Sequence, residues 1–139
     1  MGIVMDTSAI LAALMHQPGE KDWRGEIRRL TNGVELFAPS SVRWELGNAV
    51  RNMVVQKRLS LVSGLALLKG ALDAQVNYIN VDPLNAWYIA IQTRSAAYDA
   101  YVLECARATG HPLLTIERYD RMPAKARALR IQLVEVDHG

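Results

Sequence analysis

Cysteine is almost missing from this sequence: among 139 residues only Cys105 carries a thiol. A single thiol closes no internal disulfide and builds no cysteine-based zinc site, which suits a reducing compartment. The first residues also lack the positive stretch of a secretory signal, and Asp6 interrupts what would be its apolar segment. The Met-Gly start fails as a myristoylation site, which asks for Ser or Thr at the position Asp6 holds. No internal repeat, low-complexity tract or linker divides the chain. A composition of 50% hydrophobic and 22% charged residues points to neither disorder nor membrane spanning. The expectation is one soluble, cytoplasmic domain over residues 1–139.

What is present is an alternation of short apolar runs with amphipathic stretches. GIVM at the start, VELFAP, VNYINV, HPLLT and IQLVEV read as five short strands. Between them lie stretches of helical period. One runs through Ala9, Ile10, Leu11 and Leu14, another is DWRGEIRRL, and a long one opens at Ser40 and Ser41 and reaches about Gln56. LVSGLALLKGAL carries Leu61, Leu65, Leu68 and Leu72 at helical spacing, which predicts packing in the core or in a dimer seam. DPLNAWYIAIQTR enters through Asp82 and Pro83, YDAYVLECARATG closes on Gly110, and a short helix is expected from Glu117 to Leu129 with Pro123 at a first turn. Strands alternating with helices predict a three-layer α/β/α sandwich around a mainly parallel sheet of about five strands.

In open sheets of this kind ligands bind beyond the carboxyl ends of the strands, where the strand order reverses. Four acids fall at that edge. Asp6 follows the first strand, Glu45 lies one turn into the helix after the second, Asp99 opens the second of two helices after the third, and Glu117 sits two residues past HPLLT. Each has a plain structural role open to it: Asp6 and Asp99 as helix caps, Glu117 as a dipole partner. Glu45 lacks a capping box, because position 42 is Val and Ser41 is four residues back. With Asn48 and Asn52 it forms a polar stripe opposite Leu46, Ala49, Val50, Met53 and Val54.

Converging carboxylates repel unless a cation neutralises them. Oxygen ligands without Cys, and with His16, His111 and His138 outside the motifs, suit Mg²⁺ held by a few carboxylates and waters. Such sites serve phosphate chemistry, in which the ion activates water and steadies the leaving oxygen. Ser8 and Thr115 are placed to hold waters or phosphate oxygens. Arg118, Arg121, Lys125, Arg127 and Arg130 face one acid, Asp120, and make a basic segment that is either a solvated helix face or an RNA contact. A haloacid-dehalogenase phosphatase would need an acid where Ser8 stands, and a receiver domain a Lys after the fourth strand, where none occurs before Lys125.

MDTSAI, SSVRWELGNAV, YDAYVLECARATG and LLTIERYD, in that order over the whole chain, resemble the PIN-domain ribonucleases of the VapC toxin type. The resemblance implies a Mg²⁺-dependent endoribonuclease, with Mn²⁺ able to substitute, that acts as the toxin of a toxin–antitoxin pair. It also implies a homodimer and a small antitoxin partner. Asp6, Glu45 and Asp99 match the family's acids by position. The fourth departs from the usual Thr-x-Asp: here Thr115 and Ile116 precede Glu117, with Asp120 as the alternative fourth ligand. A PIN fold that no longer cuts, and only binds RNA or a partner, is the alternative reading.

Overall fold

The computed structural model describes residues 1–139. Four strands, β1 (Gly2–Met5), β2 (Glu35–Pro39), β3 (Asn77–Ile79) and β4 (Leu113–Leu114), form one sheet in the order β3-β2-β1-β4. All pairings are parallel, with Ile3 opposite Leu36 and Met5 opposite Leu114. Seven helices flank it: α1 (Thr7–Ala12), α2 (Arg24–Thr31), α3 (Val42–Val55), α4 (Leu61–Leu72), α5 (Pro83–Thr93), α6 (Ala97–Thr109) and α7 (Met122–Ala128). This is the expected three-layer arrangement. The chain steps outward from β1 to β3, then crosses back to lay β4 on the far side of β1. The reversal therefore lies beside β1, whose carboxyl end and that of β4 frame a crevice.

The β1 strand is buried along its length, and Val4, Leu46, Leu103, Leu113 and Leu114 lie in one apolar cluster that joins sheet and helices. α6 rests on β1 and β2, and α5 packs along α6. Between those helices the buried Glu104 is satisfied by Arg107 at 2.8 Å and by the Asn85 amide at 3.2 Å. α3 and α4 approach closely because Gly64 has no side chain: a Cβ there would stand 2.5 Å from Val54 Cγ2. No helix is long and apolar enough to cross a membrane.

Two expectations are corrected and a third is narrowed. IQLVEV forms no fifth strand but a single parallel bridge, Leu113 to Leu133, closed by two backbone hydrogen bonds at 2.8 and 2.9 Å. β4 is two residues long and the chain leaves the sheet after it, so no ladder can propagate. The last helix starts at Met122 rather than Glu117, with Pro123 in its first turn as expected. Proline has no N–H to give, so the helix cannot extend upstream through it without losing a bond. Finally, of the two places expected for α4 the core takes only part: Gly64 and Ala71 face inward, while Leu61, Val62 and Leu65 are exposed, which leaves the dimer seam open for them.

Candidate active site

Asp6 is the first residue beyond β1 and the N-cap of α1, and its side chain is buried. Its two oxygens part company. Oδ1 accepts from the Ala9 N–H at 2.9 Å and from the Ser8 hydroxyl at 2.7 Å. Oδ2 is buried and has no hydrogen-bond partner. An anionic oxygen left so costs more than a neutral one, and burial accordingly pushes the Asp6 carboxyl up. The Thr115 and Ser8 hydroxyls and the Ala9 N–H pull it back, and the charge of Asp99 adds to the rise.

Glu45 is the fourth residue of α3 and makes no cap. Ser41, the N-cap, makes no side-chain cap bond, and its hydroxyl is buried without a partner. Burial raises the Glu45 carboxyl; the neighbouring Thr7 hydroxyl favours its charged form, and Asp6 and Asp99 oppose it. Thr7 makes no formed hydrogen bond and is itself buried. Asn48 lies a turn further along, exposed, and Asn52 takes a bond from Arg51 at 3.1 Å.

Asp99 is not the cap of α6. That place belongs to Ala96, and Asp99 sits inside the first turn with its Oδ2 3.0 Å from the Lys125 ammonium of α7. Glu117 follows β4, where its backbone N–H donates to the Thr115 hydroxyl at 3.1 Å. Its carboxyl is pushed up to about 7, first by burial, then by Asp6 and Asp99, with Arg121 and Lys125 partly relieving it. Asp120 is exposed in the turn before α7, and its charge does not figure among those acting on Asp6, Glu45 or Glu117.

Asp6, Glu45, Asp99 and Glu117, from four separate segments, thus share one electrostatic environment at the crevice beside β1. Ser8 and Thr115, 3.4 Å apart, tie its walls together, and the Ile116 N–H reaches the Ser8 hydroxyl at 3.4 Å. The Ser8 hydroxyl holds Asp6, and the Thr115 hydroxyl takes the Glu117 N–H. Among the basic residues only Lys125 reaches an acid of the site closely. Arg121 stands 3.8 Å from Glu117 with its side chain 72% exposed, Arg127 lies over the Tyr119 ring, and Arg118 and Arg130 are not buried. Thr7 and the Lys125–Asp99 pair were not legible in the sequence. Thr7 stands within MDTSAI, but the pair joins residues 26 apart that only the fold brings together.

The donor set fits a hard divalent cation: carboxylates and hydroxyls, one buried oxygen unpartnered, and three acids held up by burial and by one another. No three acidic or histidine side chains are arranged to hold an ion as they stand. Loading would require the carboxylates to draw in, and Asp99 to share or leave its ammonium.

The PIN-domain profile matches residues 3–128. No curated protein matches the sequence. Among solved structures the chain is similar to PAE2754 from Pyrobaculum aerophilum, at 22% identity over 90% of this chain and 87% of that one, with a TM-score of 0.64. It is similar to VapBC2 from Rickettsia felis, solved bound to a DNA fragment from its promoter, at 14% identity over 97% and 98%, TM-score 0.61. It is also similar to VapC20 from Mycobacterium tuberculosis, described as a toxin that cleaves the sarcin-ricin loop, at 18% identity over 96% and 98%, TM-score 0.61. A parallel sheet reversing beside its first strand, with acids gathered at that reversal and a family profile spanning nearly the whole chain, makes this protein a member of the PIN-domain family.

Proposed function

We propose that this protein is a metal-dependent endoribonuclease acting as the toxin of a toxin–antitoxin pair in the cytoplasm. The observation that carries the reading is the Asp6 carboxylate, buried with one oxygen unpartnered in a crevice where Glu45 and Glu117 are held above the usual carboxylate range. Such an arrangement stores electrostatic repulsion that a divalent cation relieves. Asp6, Asp99 and Glu45 would hold Mg²⁺ or Mn²⁺, with Glu117 as the fourth acid, and the ion supplies the charge that activates water against a phosphodiester.

The chain's own residues do the rest. The Ser8 hydroxyl and the Ala9 N–H fix the orientation of Asp6. Glu117, pushed up to about 7 in the metal-free pocket, would give up its proton as it joins the ion, so binding at neutral pH would release a proton. Beside the site a cleft lined by Thr115, Tyr119, Pro123 and Arg127 gives single-stranded RNA a ring to stack on and a cation for its phosphates.

Two apolar faces suit the two protein partners. On α5, Leu84, Trp87, Tyr88 and Ile91 recur at helical spacing and are all more than half exposed. A row on one helix can meet its own copy about a two-fold axis, so this face is assigned to the homodimer. Between α1 and α4 a groove lined by Leu14, Met15, Leu59 and Leu67 suits an amphipathic segment of the antitoxin.

The test is a structured RNA pool with the parent protein and Asp99→Ala. Cleavage with Mg²⁺ or Mn²⁺ by the parent and loss of about 10²-fold or more in the variant are expected, as for removal of a group acting in the transition state. A parent protein that binds RNA but never cuts it is the silent module.

A further inference from the structure

Lys125 is the cation that the fold brings closest to an acid of the pocket, 3.0 Å from Asp99 against 3.8 Å between Arg121 and Glu117. Met122 and Ala126 of α7 are buried and anchor the short helix, and Ala100, Val102 and Leu103 do the same for α6. Two elements held by the core thus present an ammonium and a carboxylate to each other at 3.0 Å, with the side chains only 27% and 30% exposed. With Arg121, the same ammonium also favours the charged form of Glu117. Its position is therefore that of a counter-ion shared by the pocket.

The other nearby cations are placed differently. Arg121 is largely in solvent and Arg127 is engaged over Tyr119 at 4.6 Å. A lysine, unlike either, is a compact point charge on a flexible four-carbon stem, so it can swing away without breaking a planar two-toothed contact. An ammonium and a divalent cation cannot both sit against the same carboxylate oxygen, because at such distances like charges repel strongly in a partly desolvated site.

Resting on the proposed metal site, we propose that Lys125 stands in for the divalent cation beside Asp99 in the metal-free protein, and so sets the metal concentration at which the pocket fills. Loading the site then means drawing the ammonium off Asp99 Oδ2. Removing it has two effects of one sign: the metal-free protein loses its internal counter-ion, and the metal loses its competitor.

Calorimetric titration of Mn²⁺ into metal-free parent, Lys125→Met, Lys125→Gln, Arg121→Gln and Asp99→Asn, joined to thermal melts in chelator and in Mn²⁺, tests this. Both Lys125 variants are expected to bind Mn²⁺ about fivefold more tightly than the parent, the ratio given by the upper range for an ion pair still open to solvent. They should also melt lower than the parent in chelator and gain more from Mn²⁺. Arg121→Gln should change the affinity by less than about twofold, its charge being screened. Lys125 variants that bind Mn²⁺ no more tightly than the parent, or an Arg121→Gln gain equal to theirs, overturn the inference and leave the metal site standing. A parent that binds no Mn²⁺, or an Asp99→Asn protein that binds it as well as the parent, overturns the metal site and this inference with it.

Discussion

Asp6 divides its work between two oxygens of one carboxylate. Oδ1 closes the start of α1 and Oδ2 waits, buried and unpaired, at the crevice. Capping therefore uses one oxygen and leaves the other for the proposed ion, and no reading of residue types alone could separate the two uses, since both ask for an aspartate after a strand. Glu117 makes the electrostatics measurable. Its carboxyl titrates near 7 in the folded protein against an ordinary value of 4.5, so the folded state holds the proton that the unfolded chain has already lost between those values. Stability then falls as pH rises through that window, and the raised carboxyls of Asp6 and Glu45 act in the same direction. Discounted for the solvent that reaches its side chain, the Glu117 contribution is about 2 kcal/mol, or roughly 6 °C in the melting midpoint of a chain this size. Melts in chelator at pH 5 and pH 8 should show that fall in the parent, and Glu117→Gln should lose most of it. Equal slopes would mean that Glu117 titrates in its ordinary range. The positions of Asp6, Glu45, Asp99 and Glu117 at strand ends and helix starts were legible in the sequence. Their mutual burial was not, because it depends on side-chain direction and on packing between segments far apart in the chain.

At the scale of elements, the helices follow from periodicity and the strand edges do not. α5 begins where Asp82 and Pro83 indicate, with the Asp82 side chain taking the Leu84 N–H at 2.8 Å, and α6 ends on Gly110 in the left-handed conformation. IQLVEV alternates like a strand, yet its neighbour offers only Leu113 and Leu114 to pair with. Pairing length belongs to two segments at once, which one segment's pattern cannot reveal. Gly64 was likewise silent in the sequence, although it sets how near α4 comes to α3. Ala is the better helix former by about 1 kcal/mol. Gly64→Ala should nonetheless destabilise the protein by about 1 kcal/mol net, because forcing a methyl against the stiff Val54 side chain costs about 1–3 kcal/mol. A variant that unfolds at a higher denaturant midpoint than the parent would show that the two helices part freely. The basic stretch before and along α7 gives a third expectation. Neutralising Arg118 and Arg121 should weaken RNA binding and lower the log–log salt slope by roughly 0.7 for each phosphate left without its cation. An unchanged slope makes that segment plain solvated surface.

For the whole molecule, parallel strands bring the acids to one edge, and the helices leave apolar faces on the outside. Leu84, Trp87, Tyr88 and Ile91 are the exposed α5 face to which the proposed homodimer is assigned. Trp87→Glu with Ile91→Glu should convert a dimer into a monomer in light scattering after size exclusion, with the far-UV circular dichroism of the parent, since both side chains are more than half in water in the single chain. A parent that is monomeric at micromolar concentration removes α5 from this role. The α/β order was readable from the alternation of runs, while the strand order, and with it the place of the reversal, came only from the fold. Which apolar residues would face outward was not, and the exposed leucines of α4 show why: helical spacing names a face without saying what covers it. The central claim is that this crevice hydrolyses RNA through water activated by a bound cation. It is tested most directly by mapping the ends of the cut RNA. The expected ends are 5′-phosphate and 3′-hydroxyl, formed only when Mg²⁺ or Mn²⁺ is present and abolished by chelator. Ends bearing 2′,3′-cyclic phosphate, made in excess chelator, would contradict it, because the RNA's own 2′-hydroxyl would then be the attacking group.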